Sequence, residues 1–269
     1  MPGIYMFRSR RPVAIAFDMD ETLGHFTQLG AFWDCVEYAH SRSLAPSVFC
    51  ETANLYTEFV RPGIPEILSF VSEARDNGLI DLVCIYTNNN GPRRWAQYIA
   101  AWLESLAGRR VFDIIIPAYM VGGKIVEPKR TSHAKSHSDF CRCTGMPPAT
   151  RLCFIDDQEH PLMRSPNVFY IKPQPFHAGL LPSELGNRYV VAHPTLPPTC
   201  KSRLGRAVLS NPYVEPGRAV NRSRADLHHE SEWLAYHIQL FIAHTAHRVT
   251  RRARPRAGGT RRRFAQSRN

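Results

Sequence analysis

The stretch Val13-Ala14-Ile15-Ala16-Phe17-Asp18-Met19-Asp20-Glu21-Thr22-Leu23 decides how this chain is read. A continuous apolar run reads as a strand buried on both faces, as in a parallel sheet, and its abrupt acidic end reads as a site. Two further stretches repeat the design: Asp81-Leu82-Val83-Cys84-Ile85-Tyr86 stops at Thr87-Asn88-Asn89-Asn90, and Arg151-Leu152-Cys153-Phe154-Ile155 stops at Asp156-Asp157. Helical spacing separates these runs, with Ile64, Ile67, Leu68 and Val71 after Pro62-Gly63, and Trp95, Ile99, Trp102, Leu103 and Leu106 after Pro92. Such alternation predicts an α/β fold on a parallel sheet. Val111–Ile116 and Val168–Ile171 are expected to add strands, and Ser136 to Cys143 a short helix before the Asp156 strand.

Composition sets the outer limits. The chain has 269 residues, 43% hydrophobic and 21% charged, which is globular, and no run approaches the roughly 20 apolar residues of a membrane helix. The first strand starts near Val13, leaving no room for a secretory signal, so a soluble cytoplasmic or nuclear protein without membrane contact is expected. Seven cysteines, an odd number at low density, are expected to be reduced thiols. The net charge of +11 points to nucleic acid until its placement is examined: residues 1–200 are neutral, and residues 201–269 carry the whole excess.

That C-terminal part reads differently from the rest. Pro173, Pro175, Pro182, Pro194, Pro197 and Pro198 predict an irregular segment over residues 176–225. Leu234, Ile238, Phe241 and Ile242, behind a Ser223-to-Asp226 capping start, predict one amphipathic helix over 226–249. Nine arginines between Arg248 and Arg268 predict a disordered tail over 250–269, suited to non-specific nucleic-acid contact or nuclear targeting.

In an open parallel sheet, ligands bind at the carboxyl ends of strands near a topological switch point, and three strand ends here deliver polar residues to that edge. Asp18 and Asp20, two apart, suit a nucleophile and a general acid/base. Asp156 and Asp157 add negative charge that a hard cation would compensate, and Mg²⁺ is the natural choice.

These residues resemble the haloacid dehalogenase (HAD) superfamily of phosphotransferases, whose four motifs occur here in order. Asp18-Met19-Asp20-Glu21-Thr22-Leu23 is similar to its first motif, Thr87 to its second, a lysine to its third and Asp156-Asp157 to its fourth. Glu21, together with Arg61-Pro62-Gly63, resembles the branch acting on the carboxy-terminal domain of RNA polymerase II, also called NLI-interacting-factor-like. The resemblance spans roughly residues 11–172 and implies a HAD-type Rossmann-like sheet with helices on both faces, in a domain over residues 1–175. It implies that Asp18 forms an aspartyl-phosphate, that Asp20 is the acid/base, that Thr87 binds the phosphoryl group, and that Mg²⁺ is held by Asp18, the Asp20 carbonyl and Asp157 or Asp156. Thr22, Asn88 and Arg61 are expected to contact substrate. Lys124, Lys129 and Lys135 all lie in the interval of the third motif, and Lys135 is preferred because it opens the helix before the Asp156 strand. Asn88-Asn89-Asn90 and the Gln158-Glu159-His160 sequence after the acids depart from the branch pattern.

Residues 24–60 leave length only for a small cap, with Phe26, Leu29, Phe32, Trp33, Val36 and Tyr38 on its apolar face. A small cap implies an open site and a bulky substrate, a phosphorylated macromolecule and by preference a phosphoserine or phosphothreonine protein. A phosphatase of nucleic-acid ends or nucleotides and a silent HAD-like scaffold are the alternatives. Asn88–Asn90 also read as a helix cap, His25 and His160 as residues of the site mouth, and His133, His137, Cys141 and Cys143 as side chains whose zinc-like spacing is more commonly structural.

Overall fold

The computed structural model describes residues 10–214 and 223–252. Its centre is a five-stranded parallel sheet in the order β3-β2-β1-β6-β7. In chain order the strands are β1 (Val13–Phe17), β2 (Leu82–Tyr86), β3 (Ile114–Ile116), a short antiparallel pair β4 (Met120–Val121) and β5 (Lys124–Ile125), then β6 (Arg151–Ile155) and β7 (Val168–Ile171). The helices are α1 (Thr27–His40), α2 (Pro46–Ala53), α3 (Ile64–Asp76), α4 (Arg93–Ala107), α5 (His137–Thr144), α6 (Pro182–Ala192), α7 (Pro198–Ser210) and α8 (Arg224–Arg252). All five residues of β1 are buried, as a central parallel strand requires.

Alternation along the strands divides the core between the two faces. Val13, Ile15 and Phe17 point into the larger core with Val83, Ile85, Cys153 and Ile155; Ala14 and Ala16 point into the smaller one with Tyr86, Phe140, Leu152 and Phe154. The larger face is covered by α1 to α4 and by α6 to α8, and the smaller by α5. Because the chain runs outward from β1 to β3 and returns to β6, the strand order reverses between β1 and β6. That junction is the switch point at which a ligand crevice forms.

Several expectations are corrected. Residues 176–225 contain two helices, because Pro182 and Pro198 occupy first-turn positions where a missing N–H costs nothing and a fixed φ favours the helix. Both helices bury residues: Leu185, Tyr189, Leu204 and Val208 join the main core, and Tyr56 donates to the Leu185 carbonyl at 2.6 Å. Residues 24–60 are built into that same core, with α1 against α7 and α2 against α4, instead of standing as a separate cap. Tyr38 is 63% exposed and does not share the buried face of Phe26, Leu29, Phe32, Trp33 and Val36. The strand near Val111 begins only at Ile114.

The last helix, α8, lies on α3 and β7, with Phe241 stacked on Phe169 at 5.8 Å. At its start the Ser223 hydroxyl donates to Asp226 at 2.7 Å and accepts from the Asp226 amide at 3.1 Å. Gly63, at φ +76°, begins α3, and a Cβ there would meet Ser231 of α8 at 3.0 Å. All seven cysteines are free thiols. No helix among the described residues is long and apolar enough to cross a membrane. The expected disordered tail lies, from residue 253 onward, outside the described residues.

Candidate active site

At the switch point the backbone of Asp18 is tied across the β1/β6 junction, its N–H donating to the Ile155 carbonyl at 2.8 Å. This places Asp18 beside Asp156 and Asp157. One carboxylate oxygen from each of the three lies within 4.8 Å of the others, and all three residues are buried.

Lys135 closes the cluster from α5's side of the sheet. Its Nζ donates to Asp18 Oδ1 and, at 2.7 Å, to Asp156 Oδ2, while the rings of Tyr86 and Phe154 stand 5.6 and 5.8 Å away. The ammonium is almost fully withdrawn from water. Of the three lysines in the interval, Lys135 is thus the one bonded to the acids, whereas β5's Lys124 is exposed and Lys129 sits on the Glu127 turn. Asp156 also accepts from the Gln158 amide at 2.9 Å and pairs with His160 Nε2 at 3.1 Å. Asp157 is oriented by Thr22, whose hydroxyl donates to Asp157 Oδ1 at 3.0 Å and accepts from its amide at 3.1 Å.

Burial dominates the protonation of these groups. It pushes Asp18 up to about 8 against the pull of Lys135, with Asp156 and Asp20 adding to the rise. Asp20 is likewise raised by burial, and its bond from Asn89 is the main opposing influence. Asp156 stays low, because His160 and Lys135 together outweigh its burial. Lys135 is raised, since two carboxylates outweigh a burial that alone would lower it.

The residues after β2 complete the pocket. Thr87 is buried, its N–H donates to Ile116 O at 3.0 Å, and its Oγ1 accepts from the Asn89 amide at 3.0 Å; the hydroxyl donates to no other described residue. The Asn89 side chain donates to Asp20 Oδ2 at 2.8 Å. The other oxygen of Asp20, Oδ1, is buried without a partner among the described residues. A buried carboxylate oxygen left bare is costly and suits a site that receives a donor from a ligand.

Three expected substrate contacts are corrected, the first being Thr22, which is fully buried with its hydroxyl spent on Asp157. The guanidinium of Arg61 donates to the carbonyls of Thr22 at 2.7 Å, Glu21 at 2.7 Å and Gln174 at 2.6 Å, and pairs with Glu230 at 3.5 Å. It supports the first acidic loop from beneath. Asn88 accepts from Arg130 at 2.8 Å, and Arg130 also binds the carbonyls of Thr87, Pro117 and His133 while stacking over Tyr86 at 4.9 Å. The asparagine facing the acids is Asn89, and none of the three caps α4, whose N-cap is Pro92. His137 touches Cys141 at 3.7 Å and His133 packs edge-on to Tyr119, so the zinc-like spacing does not gather into a group among the described residues.

Sequence reasoning missed Arg130, preferred Asn88 to Asn89 as the contact and undervalued His160. Arg130 binds mainly backbone carbonyls, which leave no signature in sequence, whereas His160 follows Asp156 by four residues and was open to suspicion. A cleft of about 690 Å³ opens beside Thr87 and Asn89 between α4 and β3, with Ala96, Ala100, Phe112 and Ile115 on its walls and Arg110 and Lys124 among its polar residues. Comparison of the chain with protein-family models, curated proteins and solved structures returns no match.

Proposed function

We propose that this protein is a Mg²⁺-dependent phosphomonoester hydrolase of the HAD type, acting on phosphoserine or phosphothreonine in proteins. The observation that carries the reading is the convergence of Asp18, Lys135, Asp156 and Asp157 at the β1/β6 switch point, with Asp20 and Thr87 beside them. The donor set fits a hard cation: three buried carboxylates offer oxygen only, and Lys135 alone does not balance them. Asp18 and Asp157, with Asp156, would hold the Mg²⁺, which would draw charge from a phosphoryl oxygen.

The protein groups divide the remaining work. Asp18 acts in its ionised form, which a bound Mg²⁺ would stabilise together with Lys135; its oxygen attacks phosphorus, the ester P–O bond breaks, and the leaving oxygen takes its proton from Asp20. Asp20, then a carboxylate, takes a proton from water, which attacks the aspartyl-phosphate and releases inorganic phosphate with Asp18 restored. Burial raises Asp20 and so favours the protonated form that the acid step requires. Lys135 holds Asp18 and Asp156 in place and offsets their charge, and the free hydroxyl proton of Thr87 suits a phosphoryl oxygen. The cleft beside Thr87 and Asn89 gives room along α4 for the part of a substrate that lies beyond its phosphoryl group.

The test is hydrolysis of p-nitrophenyl phosphate, phosphopeptides and nucleotides with and without Mg²⁺. Metal-dependent turnover that falls roughly 10³-fold or more in Asp18→Asn is expected, with phosphopeptides preferred. Turnover of nucleotides alone would replace the substrate class, and no turnover on any of them by the folded protein would replace the enzyme with a scaffold.

A further inference from the structure

A second group of ligating side chains stands beside the acids without belonging to them. Glu21, His25 and His177 can each present one ligand atom within 4.8 Å of the others, and none is fully buried. Glu21 and His25 come from the loop after β1, His177 from the segment after β7. Two links join these stretches: the Phe176 amide donates to the Glu21 carbonyl at 2.8 Å, and the His25 side chain meets the Ala178 backbone at Nδ1, the carbonyl at 2.5 Å and the amide at 3.2 Å.

The 2.5 Å contact with the Ala178 carbonyl suits the tautomer with its proton on Nδ1, which leaves the Nε2 lone pair for an ion; the Ala178 amide, at 3.2 Å, then stands beside Nδ1 without donating to it. An imidazole that donates one N–H to a backbone carbonyl and presents the other nitrogen is arranged as metal-bound histidines are. His177 Nδ1 lies 3.9 Å from Glu21 Oε1, with the two imidazole rings edge-on at 5.4 Å. A tetrahedral site with bonds of about 2.0–2.1 Å has ligand atoms about 3.4 Å apart, so closure needs shifts of about an ångström or less in side chains that solvent already reaches.

We propose that Glu21, His25 and His177 form a second metal site, selective for Zn²⁺ and similar borderline ions. Two nitrogens and one oxygen suit that class and not Mg²⁺, which the all-carboxylate cluster favours. A bound ion would clip the loop bearing Asp20 to the segment after β7 and leave a coordination position open. This site does not depend on the phosphatase reading, because its ligands and its readout are separate from Asp18 chemistry.

Co²⁺ serves as the probe, added to the full chain in the presence of excess Mg²⁺ and followed by visible absorption. The expected result is one saturable band of four- or five-coordinate Co²⁺, competed away by Zn²⁺, weakened about tenfold or more in His177→Ala and in Glu21→Gln, and retained in Asp157→Asn. Circular dichroism establishes that each variant is folded; His177 and Glu21 are partly exposed, and Glu21→Gln keeps the backbone links intact. Zn²⁺ is also expected to raise the Tm of the wild type and not of His177→Ala. No band in the wild type overturns the proposal. So does a band unchanged in both His177→Ala and Glu21→Gln, or one lost in Asp157→Asn alone, which would assign the ion to the carboxylate cluster.

Discussion

Replacing Asp18 with asparagine is expected to stabilise the metal-free protein, by an amount that grows with pH. Burial raises Asp18 from 3.8 to about 8, so between those values it is neutral in the folded protein and ionised in the unfolded chain. A group shifted upward on folding contributes its stability fully below the unfolded value and loses it as the pH rises through the folded one. Each pH unit inside the window removes about 1.36 kcal/mol, or about 4 kcal/mol between pH 5 and pH 8. At 2–4 °C per kcal/mol for a domain of this size, that is roughly 8–16 °C in Tm. Asparagine does not titrate, and its amide oxygen still accepts from Lys135. Asp156, held low, acts with the opposite sign but only at pH values below its unfolded one, near 4. Thermal unfolding in EDTA at pH 5, 6, 7 and 8 is therefore expected to show the wild type falling away from Asp18→Asn as the pH rises. Saturating Mg²⁺ should narrow the gap, because it binds the ionised carboxylate. Parallel curves, or a variant less stable at pH 8, would refute the assignment of burial as the dominant influence on Asp18.

Lys135→Met leaves Asp156 with the His160 ring and the Gln158 amide as its remaining partners and is expected to cost about 3–5 kcal/mol, read as a lower urea midpoint. Leu204→Ala, in the segment whose prolines suggest irregular chain, is expected to cost about 2–5 kcal/mol by the same measurement, since Leu204 is buried in the main core. Asn89→Ala removes the main influence holding Asp20 down, so the limb of the pH–rate profile belonging to Asp20 should move to higher pH.

The sheet was legible in the sequence for a simple reason. A central parallel strand is buried on both faces, so β1 and β6 appear as unbroken apolar runs, and their acidic ends stand out against them. Lys135 was legible because it stands just ahead of the helix that leads into β6. The prolines misled because Pro182 and Pro198 start helices as readily as prolines break them. Arg61 was expected to contact substrate, yet its donors meet backbone carbonyls, and a side chain that serves the backbone carries no mark of its partner in sequence. Asn88 and Asn89 are indistinguishable by type; only the path of the loop after Thr87 turns one toward Arg130 and the other toward Asp20.

The central claim is that Asp18 carries the phosphoryl group during turnover. Rapid acid quench of the enzyme with p-nitrophenyl phosphate and Mg²⁺, followed by peptide mass spectrometry, tests it directly. The account predicts one phosphoryl group on the peptide containing Asp18, absent in Asp18→Asn and absent without Mg²⁺. Turnover with no such adduct, or with the phosphoryl group on another residue, would contradict it.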